Sequence, residues 1–154
     1  MANLMKSPFT IIFIAACALP ISATAKNSTQ DSGTSSCPLP AQVEPVHLYG
    51  LWRAEFTGLA QGATLLFEKH AERTGSVRGA INRNGVRALI AGDVDGGEFT
   101  LEESDDGVHI SATWLGTVVK DSCGQEIRGS WSHAASDRAY PFVLRKLAAN
   151  APRQ

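Results

Sequence analysis

NGVRALIAGDVDGGEFTLEESDDG, residues 84–107, is the stretch whose reading decides the fold class. Asn84-Gly85, Asp95-Gly96 and Asp106-Gly107 recur in it at intervals of 11 residues, each between runs of alternating apolar and polar side chains. Asn-Gly and Asp-Gly supply the positive φ that a two-residue hairpin turn requires. The cadence therefore predicts consecutive antiparallel strands. Strands joined this way must close on themselves or bury one face, which points to a small barrel or sandwich. The expected fold is all-β: a single small antiparallel up-and-down β-barrel of about eight strands, with a flexible N-terminal leader.

Working outward from that stretch, the period stays close to two from His47 onward. Trp52, Ala54 and Phe56 share the inward face of a first strand, and Ala63, Leu65 and Phe67 that of a second. Val77, Gly79 and Ile81 mark a third, and the apolar segment Val86 to Val94 a fourth whose facing is ambiguous. Phe99 and Leu101 mark a short fifth strand, and Val108, Ile110, Ala112 and Trp114 a sixth. Ile127, Gly129 and Trp131 follow, then Tyr140, Phe142 and Leu144. Small and large inward residues are interleaved, as the taper of a small barrel demands. That pattern suits a packed core with a modest depression at one mouth, with a dedicated ligand cavity as the alternative. Tyr49, Leu51, Leu66, Leu89, Leu115 and Val143 are left facing outward; clustered, they would make a partner patch.

The chain of 154 residues has room for one domain. Lys6, the apolar run Phe9 to Leu19, Pro20 and the small residues Ala23-Thr24-Ala25 predict a signal peptide over 1–25. A flexible leader over 26–45, a barrel domain over 46–147 and a disordered tail over 148–154 complete the expected organisation. The product is then periplasmic or secreted. Ile14-Ala15-Ala16-Cys17 offers an alternative: lipidation of Cys17 and a membrane-anchored lipoprotein. Either processing leaves Cys37 and Cys123, an even pair that reads as a disulfide in an oxidising compartment. Closing a loop of about 85 residues would stabilise the fold by roughly 4 kcal/mol.

Net charge is −1 and the basic residues are scattered, which argues against nucleic acid. A membrane is expected as a partner only if Cys17 is lipidated. His47, His70, His109 and His133 fall on four separate elements without metal-ligand spacing. Asp93, Asp95 and Glu98 are accounted for by the turn they flank. Ser132, His133 and Asp137 share one loop without a nucleophile elbow. No catalytic residue, metal or cofactor is expected, and the chain reads as a binding protein rather than an enzyme.

Gly50-Leu51-Trp52, with Arg145 or Lys146 at the end of the last strand, resembles the pattern of the lipocalin and avidin type of barrel. In those families a Gly-x-Trp opens the first strand and its Trp closes the barrel floor, often under a C-terminal cation. By alternation Lys146, not Arg145, shares the inward face here. The resemblance implies a calycin-type barrel and carries no ligand with it. The expected function is binding of a small apolar or amphipathic ligand at the barrel mouth, with Trp52, Trp114, Trp131 and Tyr140 as its walls. The alternative is a protein-interaction module, an inhibitor of a secreted hydrolase or an envelope-assembly accessory, that meets an exported or envelope protein through loop tips.

Overall fold

Strand follows strand around a complete circuit in the computed structural model, which describes residues 37–148. The strands are β1 (Gly50–Phe56), β2 (Ala63–Lys69), β3 (Ser76–Arg83), β4 (Val86–Asp95), β5 (Glu98–Ser104), β6 (Ala112–Val118), β7 (Glu126–His133) and β8 (Ala139–Lys146). Each pairs antiparallel with the next, and β1 pairs with β8 through Trp52 opposite Lys146 and Phe56 opposite Phe142. Closure satisfies every strand's backbone and leaves no edge for another chain to extend. The signal-peptide segment 1–25, Cys17, residues 26–36 and the tail from 149 lie outside the described residues.

Alternation sets which side chains fill the interior. Trp52, Leu65, Phe67, Val77, Ile81, Phe99, Leu101, Trp114, Ile127 and Leu144 are all buried and form one continuous core. The ambiguous β4 resolves with Ala88, Ile90 and Val94 inward and Leu89 outward. Gly79 and Gly129 do more than fill taper. A Cβ at Gly79 would overlap the Leu66 carbonyl oxygen, and one at Gly129 the Leu115 carbonyl oxygen. At these two positions neighbouring backbones approach too closely for any side chain.

The three turn signals have three outcomes. Asn84 (φ 49°) and Gly85 (φ 89°) form the two-residue turn between β3 and β4, and the Asn82 side-chain oxygen accepts from the Gly85 amide at 2.9 Å. Between β4 and β5 the turn sits one residue later than expected, on Gly96 and Gly97, because Asp95 pairs with Glu98. Two glycines take the paired positive φ values at less steric cost than Asp followed by Gly.

Asp106-Gly107 is not a hairpin turn. It lies in a longer loop, residues 105–111, between β5 and β6. Val108 and Ile110, expected on a strand, are in this loop and exposed. Pairing of β5 with β6 ends at Glu103 opposite Ala112, so residues before Ala112 have no strand to pair with. Asp106 folds the excursion by accepting hydrogen bonds from the Val108 and His109 amides, both at 2.8 Å.

The leader was expected to be flexible to residue 45, yet from Cys37 it is structured. A 3-10 turn (Pro40–Gln42) and a short helix α1 (Pro45–Leu48) lie across one end of the barrel. Val43 and Leu48 are buried there. A disulfide joins Cys37 to Cys123 in the β6–β7 connection, with Cα atoms 4.6 Å apart.

Candidate functional site

The four aromatic residues expected to wall a ligand site do not share one cavity. Trp52 closes the α1 end. Its indole N–H donates to the Leu48 carbonyl at 2.6 Å, and the Lys146 ammonium lies 5.9 Å from its ring. Lys146 also donates to the His47 carbonyl at 2.6 Å, and burial pushes its pKa down. Arg145 is exposed and pairs instead with Glu55 and Glu126. The neighbouring Arg128, followed by Arg145, holds the Glu126 carboxyl below its usual range.

Trp114, Trp131 and Tyr140 belong to the opposite end, where a buried carboxylate organises them. Glu103 is 2% exposed and sits on the inward face of β5. Its Oε1 accepts from Trp114 Nε1 at 2.6 Å and from Trp131 Nε1 at 2.8 Å. Arg83, inward at the end of β3, grips both carboxylate oxygens, with Nη1 to Oε2 at 2.7 Å. Its guanidinium carbon lies 4.8 Å from the Trp131 ring centroid and 5.6 Å from that of Phe56. Tyr140 is half-buried beside Trp131, their centroids 5.9 Å apart. Three cation–π contacts of Arg83, with Phe56, Trp114 and Trp131, and a bidentate ion pair thus cap the mouth.

Three clefts among the described residues lie on the outside. None is lined by Trp52, Trp114, Trp131 or Tyr140. One, of about 590 Å3, runs over the outer wall of β2–β5 beneath the 105–111 loop. The registers place Leu51 opposite Leu66, Leu66 opposite Ala80 and Ala80 opposite Leu89, an apolar row across four strands. Gly107 brings the loop against Leu89, and Val108 and Ile110 stand beside it. The next row runs Glu68, Arg78, Ala91, Glu102, and on the other side Arg87 pairs with Asn82. A smaller cleft of about 150 Å3 shares Ala91 and Glu102 and adds His70, Arg73 and Asp93.

The loop is fixed by its own carboxylate. Asp106 Oδ2 meets the His109 ring at 2.7 Å, while Oδ1 takes the two amides and the Ser104 hydroxyl. The His109 side chain, then the amides of His109 and Val108, hold the Asp106 carboxyl far below its ordinary value. The other three histidines perform local backbone work: each Nδ1 of His47, His70 and His133 accepts from nearby amides. Among the described residues no group of three or more His, Cys, Asp or Glu side chains is arranged to hold a metal ion.

Leu66 and Leu89 were legible as outward residues; their convergence with Val108 and Ile110 was not. The signal for half of it is present in the turns. A two-residue turn at 84–85 requires Leu89 to face Ala80, and one at 96–97 requires it to face Ser104, as observed. The loop's fold over that row depends on Asp106 side-chain chemistry, which alternation does not report. The closed eight-strand barrel neither establishes nor excludes membership of the calycin-type families. No protein-family model matches the chain, and a search of the curated proteins finds no match.

Proposed function

We propose that the protein is an exported protein-interaction module, periplasmic or secreted, that meets its partner on the outer wall of β2–β5 and the 105–111 loop. The observation that carries this reading is the contiguous exposed set Leu66, Leu89, Val108 and Ile110, set among charged side chains on the outside of a filled barrel. Apolar patches with a polar rim mark interaction surfaces. The Cys37–Cys123 disulfide supports an oxidising compartment.

A photo-crosslinking residue at position 89, with a control at the exposed Arg128 on β7, tests this in the native host. The expected result is a protein adduct from position 89 and none from 128. Equal adducts, or none from either, would overturn the reading. A second reading, a small amphipathic ligand in the same groove, is favoured by its volume, which falls within the ordinary range of small-molecule sites. Native mass spectrometry showing a bound small molecule that Leu89→Glu removes would support that ligand instead.

A further inference from the structure

We propose that the barrel mouth is a binding site for a guanidinium head group, held shut by the chain's own Arg83. This site lies inside the end of the barrel and is separate from the outer-wall face of β2–β5. The Arg83 guanidinium carbon meets three aromatic rings, Phe56, Trp114 and Trp131, with centroids at 5.6, 5.8 and 4.8 Å. Aromatic faces gathered on one cation and closed by a carboxylate are the recognition chemistry of an organic-cation cage. Glu103 supplies the carboxylate, buried to 2% exposure, and gives both oxygens to the Arg83 fork. Trp114 and Trp131 donate their indole N–H groups to the same Oε1. Two walls of the cage are thus fixed to its anion without help from Arg83.

Arg83 is an imperfect occupant of that cage. Its Nε is covered yet has no hydrogen-bond partner, the one such buried side-chain atom among the described residues. A buried donor left unpaired costs free energy whenever the fork is docked. Arg83 reaches the cage from the barrel wall, so its stem brings Nε in with the fork. A ligand entering from solvent trails its chain outward and keeps its own Nε–H hydrated. It makes the same fork on Glu103 without the stranded donor.

Arg83 is also placed to leave. It is the last residue of β3, pairs with Val86 across the two-residue turn, and its side chain is 26% exposed. Rotation about its side-chain bonds carries the guanidinium into water without breaking a strand hydrogen bond. With Arg83 docked the cage is full, and none of the three clefts reaches its tryptophans. The buried carboxylate repels an anionic head, and a neutral head leaves it uncompensated. An alkylammonium matches the charge but not the two-pronged geometry, which selects a guanidinium.

Ethylguanidinium is the probe and N-ethylurea its neutral counterpart. The readout is the indole N–H signals of the chain's three tryptophans in nitrogen–proton correlation NMR of the mature, disulfide-bonded protein. Ethylguanidinium should shift the Trp114 and Trp131 signals along a saturating curve and leave Trp52, at the α1 end, unmoved. N-ethylurea should shift none of them. Wild type binds only in the fraction of molecules with Arg83 swung out, so Arg83→Ala should bind roughly tenfold more tightly or better. Adding Glu103→Gln to Arg83→Ala should abolish binding, because the amide keeps the shape and loses the charge. Acetyl-arginine amide distinguishes the sources of the head group. Binding equal to that of ethylguanidinium assigns the site to arginines of a polypeptide, and weaker binding assigns it to free guanidinium compounds.

No saturable shift in wild type up to about 100 mM probe would overturn the proposal. So would an equal response to N-ethylurea, unchanged binding after Glu103→Gln, or no gain in a folded Arg83→Ala protein. Should Arg83→Ala fail to fold, the wild-type titration and its N-ethylurea control decide the matter.

Discussion

Glu103 is the residue that the sequence disguised most completely. It stands in a run with Glu102, Asp105 and Asp106 that reads as a solvated tip, yet alternation from Phe99 and Leu101 carries it inward. Its burial is tolerable because Oε1 receives both indole N–H groups and Arg83 grips both oxygens. Those three donors come from β3, β6 and β7, so sequence proximity gives no hint of them. The indole N–H groups of Trp114 and Trp131 both donate to this carboxylate, which fixes the orientation of the two rings. A buried pair with one partner deleted leaves an uncompensated charge, which costs about 3–5 kcal/mol. Glu103→Leu and Arg83→Met should each lower unfolding free energy in urea by roughly that amount. The double variant should lose less than either single one, because neither charge is then stranded. Strictly additive losses would show that the pair does not act as a unit.

At the scale of elements, strands were legible wherever two-residue turns met clean alternation, and least legible where a side chain replaced the turn. The β5–β6 connection shows why. Asp106-Gly107 has the composition of a hairpin turn, but Asp106 uses its carboxylate to bind the amides two and three residues on. The same chemistry makes this loop sensitive to acid. The hydrogen bonds hold the folded Asp106 pKa below its ordinary 3.8, so the folded loop binds a proton less readily than the unfolded chain. Its stabilising contribution is present in full above 3.8 and is lost as pH falls through the depressed folded value. Hydrogen exchange at the Val108 and His109 amides should therefore lose protection on going from about pH 5 to about pH 2, after correction for intrinsic exchange rates. Gly85 should keep its protection, because its acceptor is the non-titrating Asn82 amide. Asp106→Asn should abolish the pH dependence at residues 108 and 109; an unchanged profile would mean that another group governs the loop.

For the whole molecule, the decisive constraint joins the two chain regions that the barrel itself does not pair. Cys37 and Cys123 are separated by 86 residues, so their bond restricts an unfolded loop that spans six of the eight strands, β1 to β6. On the chain-entropy model that restriction contributes about 4.5 kcal/mol. Domains of this size are stable by only about 5–15 kcal/mol in total. The bond also holds the 37–48 segment across the end where Val43 and Leu48 are buried and where Trp52 donates to the Leu48 carbonyl. The sequence predicted the pairing from cysteine count and export, but it left the segment flexible because Ser- and Pro-rich composition shows no periodicity. Packing, rather than local propensity, orders it. Replacing both cysteines by serine should lower unfolding free energy by about 3–4.5 kcal/mol and raise the urea m-value, because the unfolded chain then expands. Two tryptophan readouts separate the staple from the lid. If the segment detaches, acrylamide will quench Trp52 in the native baseline before global unfolding begins. If it stays docked through Val43 and Leu48, the native-state emission will match wild type and only the midpoint will fall. The buried Leu48 and its contact with Trp52 favour the second outcome, in which the disulfide acts on the unfolded chain and the apolar contacts hold the lid. A loss of stability below about 0.5 kcal/mol would show that the bond is not a structural staple.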